Sequence, residues 1–289
     1  MKVTGFSFIR NAIKYGYPIE ESILSILPVC DEFVIAVGKS EDGTLDLIKN
    51  INSDKIKIIE TVWDYNLRQG GKVLADETNK ALKNISKDSD WAFYIQGDEV
   101  VHEKYLPEIH STMEKWKNNK EVEGLLFKYL HFYGSYDYVG DSRKWYRNEI
   151  RIIRPYDDIH SYKDAQGFRR NNKLLKVKPV DAYIYHYGWV KPPDLQQAKQ
   201  KNFNKLWHDD TWIKNNIPDT EYFDYSQIDS LAYFTGTHPA TMLKRIKEKN
   251  WEFSFDPTCK NLKGLSKLLY ILEKKTKYRI GEYKNYKLL

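Results

Sequence analysis

Cysteine is almost missing from this chain of 289 residues; there are two, Cys30 and Cys259. Two thiols so far apart in sequence indicate neither a disulfide framework nor a zinc cluster. They fit free thiols in a cytoplasmic setting. No apolar run approaches the roughly 18 residues of a membrane span. The opening stretch, MKVTGFSFIRNAIKYGY, is too short and too polar in its apolar run for a secretory signal. There is no internal repeat and no low-complexity linker. A general excess of positive charge is missing as well. The net charge is +6, yet nine Lys or Arg and two Glu fall between Lys260 and Leu289, leaving the rest of the chain at −1. One basic segment on a near-neutral body argues against a nucleic-acid surface.

Aromatic residues are plentiful, with 22 Tyr, 12 Phe and 8 Trp. Most are expected in the core, and some as stacking platforms for sugar rings. Hydropathy periodicity divides the first hundred residues into alternating strands and helices. Residues 3–9, 31–38, 55–63 and the run DWAFYIQGDE read as strands. PIEESILSIL, a segment after SEDGT, and GKVLADETNKALKNI read as helices. That alternation predicts an α/β fold with a mostly parallel, Rossmann-like central sheet flanked by helices. In such sheets ligands bind at the carboxyl ends of the strands, here at GKSEDGT and QGDE. Residues 121–215 carry more strand patterns and predict a smaller mixed subregion. The expected division is 1–120 and 121–215 within one domain at 1–215, followed by a helical extension at 216–289.

The stretch WAFYIQGDEVV drives a buried strand into Asp98 and Glu99. Burying a carboxylate is costly unless something pairs with it. Two such groups past a strand end can serve a cation that holds a diphosphate.

The run IEESILSILPVCDEFVIAVGKSEDGTLDLIKNI, followed by DWAFYIQGDEVV, resembles the family 2 glycosyltransferases of the GT-A fold. The likeness is good over residues 3–105. It is looser over 125–210, where HFYGSYDYV and YHYGWVKPP are similar to segments of bacterial members. The resemblance implies transfer of a sugar from a nucleotide donor, UDP favoured, to a hydroxyl on a glycan or lipid-linked glycan, with inversion. It implies Mn2+ or Mg2+ held by Asp98, with Glu99 and a late histidine, His186. Donor contacts are expected from Thr4, Phe6, Asp42, Arg68, Lys72 and Gln96. Gln96 replaces the first acid of the family's D-x-D motif, and Gly38 stands where an acidic residue often contacts the base. Asp164 is the first choice as general base and Glu149 the second. His131, Trp145 and Trp189 are expected at the acceptor. Bacterial surface polysaccharide synthesis is the setting that the family suggests.

Two alternatives stay open on the sequence. A sugar nucleotidyltransferase would carry a glycine-rich loop after its first strand, which TGFSFIRN is not. A non-catalytic binder on a decayed transferase is suggested by Gln96 and Gly38. In the basic segment, Leu262, Leu265, Leu269 and Leu272 recur at helical spacing among lysines. This predicts an amphipathic helix that packs on the body or lies peripherally on the inner face of an anionic membrane.

Overall fold

The computed structural model describes residues 1–67 and 69–289. The first half alternates as expected: β1 (Val3–Ile9), α1 (Ile19–Ile26), β2 (Glu32–Gly38), α2 (Thr44–Lys49), β3 (Ile56–Thr61), α3 (Lys72–Leu82) and β4 (Trp91–Tyr94). These four strands run parallel in the order β3-β2-β1-β4. Alternate residues of β2 face opposite ways. Phe33, Ile35 and Val37 pack with α1 residues Ile19, Ile23 and Ile26, while Val34 and Ala36 pack with Val73, Leu74 and Ala81 of α3. Both faces of the sheet are therefore covered, which explains the unbroken apolar strands.

After β4 the chain turns through β5 (Glu99–Val101) into α4 (Leu106–Trp116). The second half holds β6 (Gly124–Tyr133), β7 (Ser135–Gly140), β8 (Asn148–Ile153), β9 (Ile159–Tyr162), β10 (Gly167–Arg170), β11 (Lys173–Leu174) and β12 (Lys176–Trp189). β8 joins the parallel half by pairing antiparallel with β4, and β6 pairs antiparallel with β8. The long β12 lies parallel to β6 and antiparallel to β5, setting His186 opposite both His131 and Glu99. β9, β10 and β11 form a separate small sheet. The fold is thus α/β, with a parallel nucleotide-side half and a mixed second half.

Helices α5 (Pro193–Asn204), α6 (Asp210–Asn216), α7 (Leu243–Lys247) and α8 (Gly264–Thr276) follow, with β13 (Leu231–Tyr233) and β14 (Lys287–Leu288). β13 extends the main sheet beside β7, and β14 pairs with β12, so residues 216–289 are tied into the body by strands as well as helices. Both cysteines are free, Cys30 buried and Cys259 exposed.

Candidate active site

The carboxyl ends of β1 and β4 open into a cleft of about 470 Å3, closed on the far side by the β9–β10 turn and by α5. Its walls include Phe8, Ile9, Arg10 and Asn11 from the end of β1, Gln96 to Asp98 after β4, and Lys199 from α5. Arg10 lies over the rings of Trp63 and Tyr65, at 5.6 and 5.2 Å from their centroids. Gly38 has a steric reason here. A Cβ at that position would come within 2.4 Å of the Trp63 indole nitrogen. The acid expected near residue 38 has given way to an aromatic wall.

The two carboxylates of QGDE part company at the turn. The Glu99 amide donates to the Gln96 carbonyl at 3.0 Å, and β5 then carries Glu99 inward. Glu99 is 0% exposed and Arg151 is 1% exposed. Arg151 Nε and Nη2 donate to the two Glu99 oxygens at 2.8 and 2.7 Å, and Tyr129 donates to Oε1 at 2.7 Å. Arg151 is held between the rings of Tyr94 and Tyr129, each 5.3 Å away. Both Glu99 oxygens, expected at a metal, are thus turned to Arg151 and Tyr129. They are spent on a bidentate pair that the apolar strand EIRIIRP requires for its arginine.

Asp98 faces the cleft. Lys199 Nζ is 3.1 Å from Oδ2 and His186 Nε2 is 3.8 Å from Oδ1. Burial favours the neutral carboxyl, but the Lys199 ammonium outweighs it and holds Asp98 well below the usual carboxylate range. Behind His186, His131 Nδ1 lies 3.2 Å from His186 Nδ1, and His131 Nε2 lies 2.8 Å from the Tyr146 carbonyl. A carbonyl only accepts, so His131 Nε2 carries the proton and its Nδ1 accepts from His186. His186 then presents an unprotonated Nε2 toward Asp98. Burial lowers the proton affinity of both rings, that of His131 far more.

A divalent cation is a poor match for this donor set. Gln96 is neutral, Glu99 is consumed by Arg151, and Asp98 already pairs with an ammonium. Among the described residues no group of three His, Cys, Asp or Glu is placed to hold a metal.

Two further carboxyls line the cleft, Glu149 and Asp164. Burial pushes Glu149 up to about 7 against the opposing charge of Arg151. It is 5% exposed, and its Oε2 has no hydrogen-bond partner. Burial also raises Asp164. Asp164 sits in the tight turn between β9 and β10, flanked by Lys163 and Ala165 at φ of 54° and 62°.

Other expected contacts fall elsewhere. Thr4 lies toward the amino end of β1, bonded to Ser89 at 2.7 Å, and Phe6 packs in the core against Tyr94 and Phe168. A parallel sheet offers ligands the other end, and it is Phe8, Ile9 and Arg10, not Thr4 and Phe6, that line the cleft. Asp42 shapes its turn, accepting from the amides of Lys14 and Thr44 at 2.7 and 3.0 Å. Lys72 is exposed at the start of α3 and does not line the cleft. Arg68 lies outside the described residues. Gln96, His186 and Trp189 do line it. His131 and Trp145 stack on each other, with ring centroids 5.1 Å apart, and border a neighbouring cavity instead.

No protein-family profile matches the chain, and no curated protein matches it. Solved structures are similar in fold. TarS of S. aureus shares 16% identity at a TM-score of 0.44, over 70% of this chain and 39% of that chain. A second structure, TarS 1–349 in complex with UDP, shares 16% at a TM-score of 0.44, over 76% and 68%. Glucosyl-3-phosphoglycerate synthase from Mycobacterium tuberculosis, in complex with Mn2+, UDP and phosphoglyceric acid, shares 18% at 0.31, over 45% and 43%. The chain thus spans about two-fifths of the first of these TarS chains. The likeness is one of fold, and the chemistry is argued from the cleft's own residues.

Proposed function

We propose that this protein transfers a sugar from a nucleotide-sugar donor, UDP-linked by preference, to a hydroxyl on a glycan or lipid-linked acceptor. One observation carries the reading. A single cleft joins the Lys199 ammonium, paired with Asp98, to carboxyls whose proton affinity is raised, Glu149 and Asp164. The first suits a diphosphate leaving group and the second an acceptor hydroxyl. In the transfer the anomeric C–O bond breaks and its electron pair stays on the diphosphate. The acceptor oxygen bonds to the anomeric carbon, and its proton passes to a carboxylate of the cleft. A base poised near neutrality serves best at neutral pH, which moves the preference from Asp164 to Glu149. Trp63, Arg10 and Tyr65 form a ring-rich wall suited to the nucleobase.

A thermal-shift panel of UDP, GDP, TDP and CMP tests donor binding. A nucleotide at about 100 times its Kd should stabilise the fold by roughly 2.7 kcal/mol. One nucleotide is expected to raise the melting temperature well above the others. A flat panel would contradict donor binding at this cleft.

The acceptor side of the proposal draws on α8. Its inward groups are polar: Tyr270 donates to Asp141 at 2.8 Å, and Glu273 pairs with Arg143 at 2.8 Å. Its outward groups are apolar, with Leu265 69%, Leu268 55% and Ile271 41% exposed. Lys263, Lys267, Lys275 and Lys277 are exposed on the same segment. An apolar stripe rimmed by lysines fits an anionic lipid surface, where each cation contributes about 1 kcal/mol. No helix among the described residues is long and apolar enough to cross a membrane, so the contact would be peripheral. The protein should sediment with phosphatidylglycerol-containing vesicles and not with pure phosphatidylcholine. Leu268→Asp should abolish that binding, and equal recovery with both vesicle types would refute the lipid contact.

A further inference from the structure

We infer that the Lys199 ammonium occupies the role of a divalent cation in this cleft, so that the donor's diphosphate is held without metal. The inference rests on the nucleotide-sugar reading above. It starts from the mismatch between the expected metal ligands and the residues present. Two acceptors, Asp98 Oδ1 and His186 Nε2, face each other at 3.8 Å. Such a pair calls for something positive close by. The chain supplies that charge itself.

Lys199 is built into place. Its Nζ donates to Asp98 Oδ2 at 3.1 Å and to the Gly188 carbonyl at 2.8 Å, and it lies 4.9 Å from the centre of the Tyr17 ring. Its side chain is 12% exposed, on a helix rather than a loop. An ammonium has three N–H groups. Two are used by these acceptors, and the third remains for an oxygen in the cleft that Lys199 lines. Gly188 is part of the device. A Cβ there would sit 2.7 Å from both Asp98 Oδ2 and the His186 ring, so a side chain would drive the carbonyl and Asp98 apart.

A divalent ion would bring two charges where Lys199 brings one. Lys191 stands close behind, 2% exposed, with Nζ 2.8 Å from the Tyr15 carbonyl and 4.6 Å from the same Tyr17 ring. Among the described residues no salt bridge neutralises it directly. Burial and the neighbouring Lys199 push the Lys191 amine well toward its neutral form, so the charge that meets the leaving diphosphate is that of Lys199. The departing oxygen takes the electron pair of the broken C–O bond, and the ammonium stabilises it by a charge-assisted hydrogen bond.

Calorimetric titration of UDP, and of inorganic pyrophosphate as a probe indifferent to the base, tests this. Wild type, Lys199→Met and Lys199→Arg would each be titrated in EDTA and in Mn2+. Wild type should bind equally in the two buffers. Lys199→Met should lose about tenfold to a hundredfold in EDTA, the loss of one hydrogen bond to a charged group. Mn2+ should restore part of that loss, because Asp98 and His186 are then free to take the ion. Lys199→Arg should keep most of the affinity, and a melting curve for each variant separates lost binding from lost folding. Wild-type binding that requires Mn2+, or Lys199→Met binding as tightly as wild type in EDTA, overturns the inference. If UDP, the other nucleoside diphosphates and pyrophosphate all fail to bind in either buffer, the nucleotide-sugar reading itself falls and takes the inference with it.

Discussion

Replacing Arg151 by Met is expected to destabilise the protein by about 3–5 kcal/mol, the usual cost of leaving one member of a buried ion pair behind. Glu99 would keep only the Tyr129 hydroxyl and the Gln96 amide as donors, at 2.7 and 3.1 Å, in a site with no access to water. At roughly 2–4 °C per kcal/mol for a chain of this size, the melting temperature should fall by about 10 °C. Glu99→Gln should cost a similar amount, since it strands the guanidinium between Tyr94 and Tyr129. The double variant Glu99→Gln, Arg151→Met should recover much of the loss, because neither charge is then unpaired. Urea unfolding of the four proteins measures the coupling. Single variants within 1 kcal/mol of wild type would show that the pair is not closed off from solvent as described.

Glu149→Gln is expected to make the protein more stable and far less active. Folding raises the Glu149 carboxyl from its ordinary 4.5 to about 7. Between those two values the folded protein holds a proton that the unfolded chain has released, so stability falls as pH rises through that window. Above pH 7 the folded state carries a buried charge at a cost of about 3 kcal/mol, from 1.36 kcal/mol per pKa unit. Glutamine carries no charge. The variant should therefore match wild type near pH 4 and exceed it by up to about 3 kcal/mol at pH 8. Turnover should fall by about 10²–10⁴ if Glu149 is the base, while nucleotide binding stays intact. Wild-type kcat/KM should climb with pH to a plateau, with its midpoint near 7. A variant with unchanged turnover would return the role of base to Asp164.

The parallel half of the fold was legible in the sequence because its signals are local. Helix spacing in PIEESILSIL and GKVLADETNKALKNI placed α1 and α3 within a few residues of where they lie. Unbroken apolar runs marked strands covered on both faces. The QGDE turn at the end of β4 was found for the same reason. What pairs with each carboxylate was not legible, because the partners come from far along the chain. Arg151 is 52 residues from Glu99, and Lys199 is 101 residues from Asp98. A hint was present for the first: an arginine inside the apolar strand EIRIIRP demands a buried countercharge. For Lys199 there was no comparable signal, since QQAKQKNFN reads as an ordinary polar helix. Thr4 and Phe6 were misplaced because a strand's sequence does not say how far along it the ligand edge begins. The inward polar face of α8 reflects Asp141 and Arg143, whose position under the helix depends on β7 and its turn.

Release of free nucleoside diphosphate from a set of nucleotide sugars, with wild type beside Glu149→Gln, tests the central claim most directly. The account predicts that wild type releases one nucleoside diphosphate steadily, and faster with a hydroxyl acceptor. It also predicts that Glu149→Gln binds the same donor with little release. Tight binding by wild type with no release over many hours would contradict transfer and mark the protein as a binder.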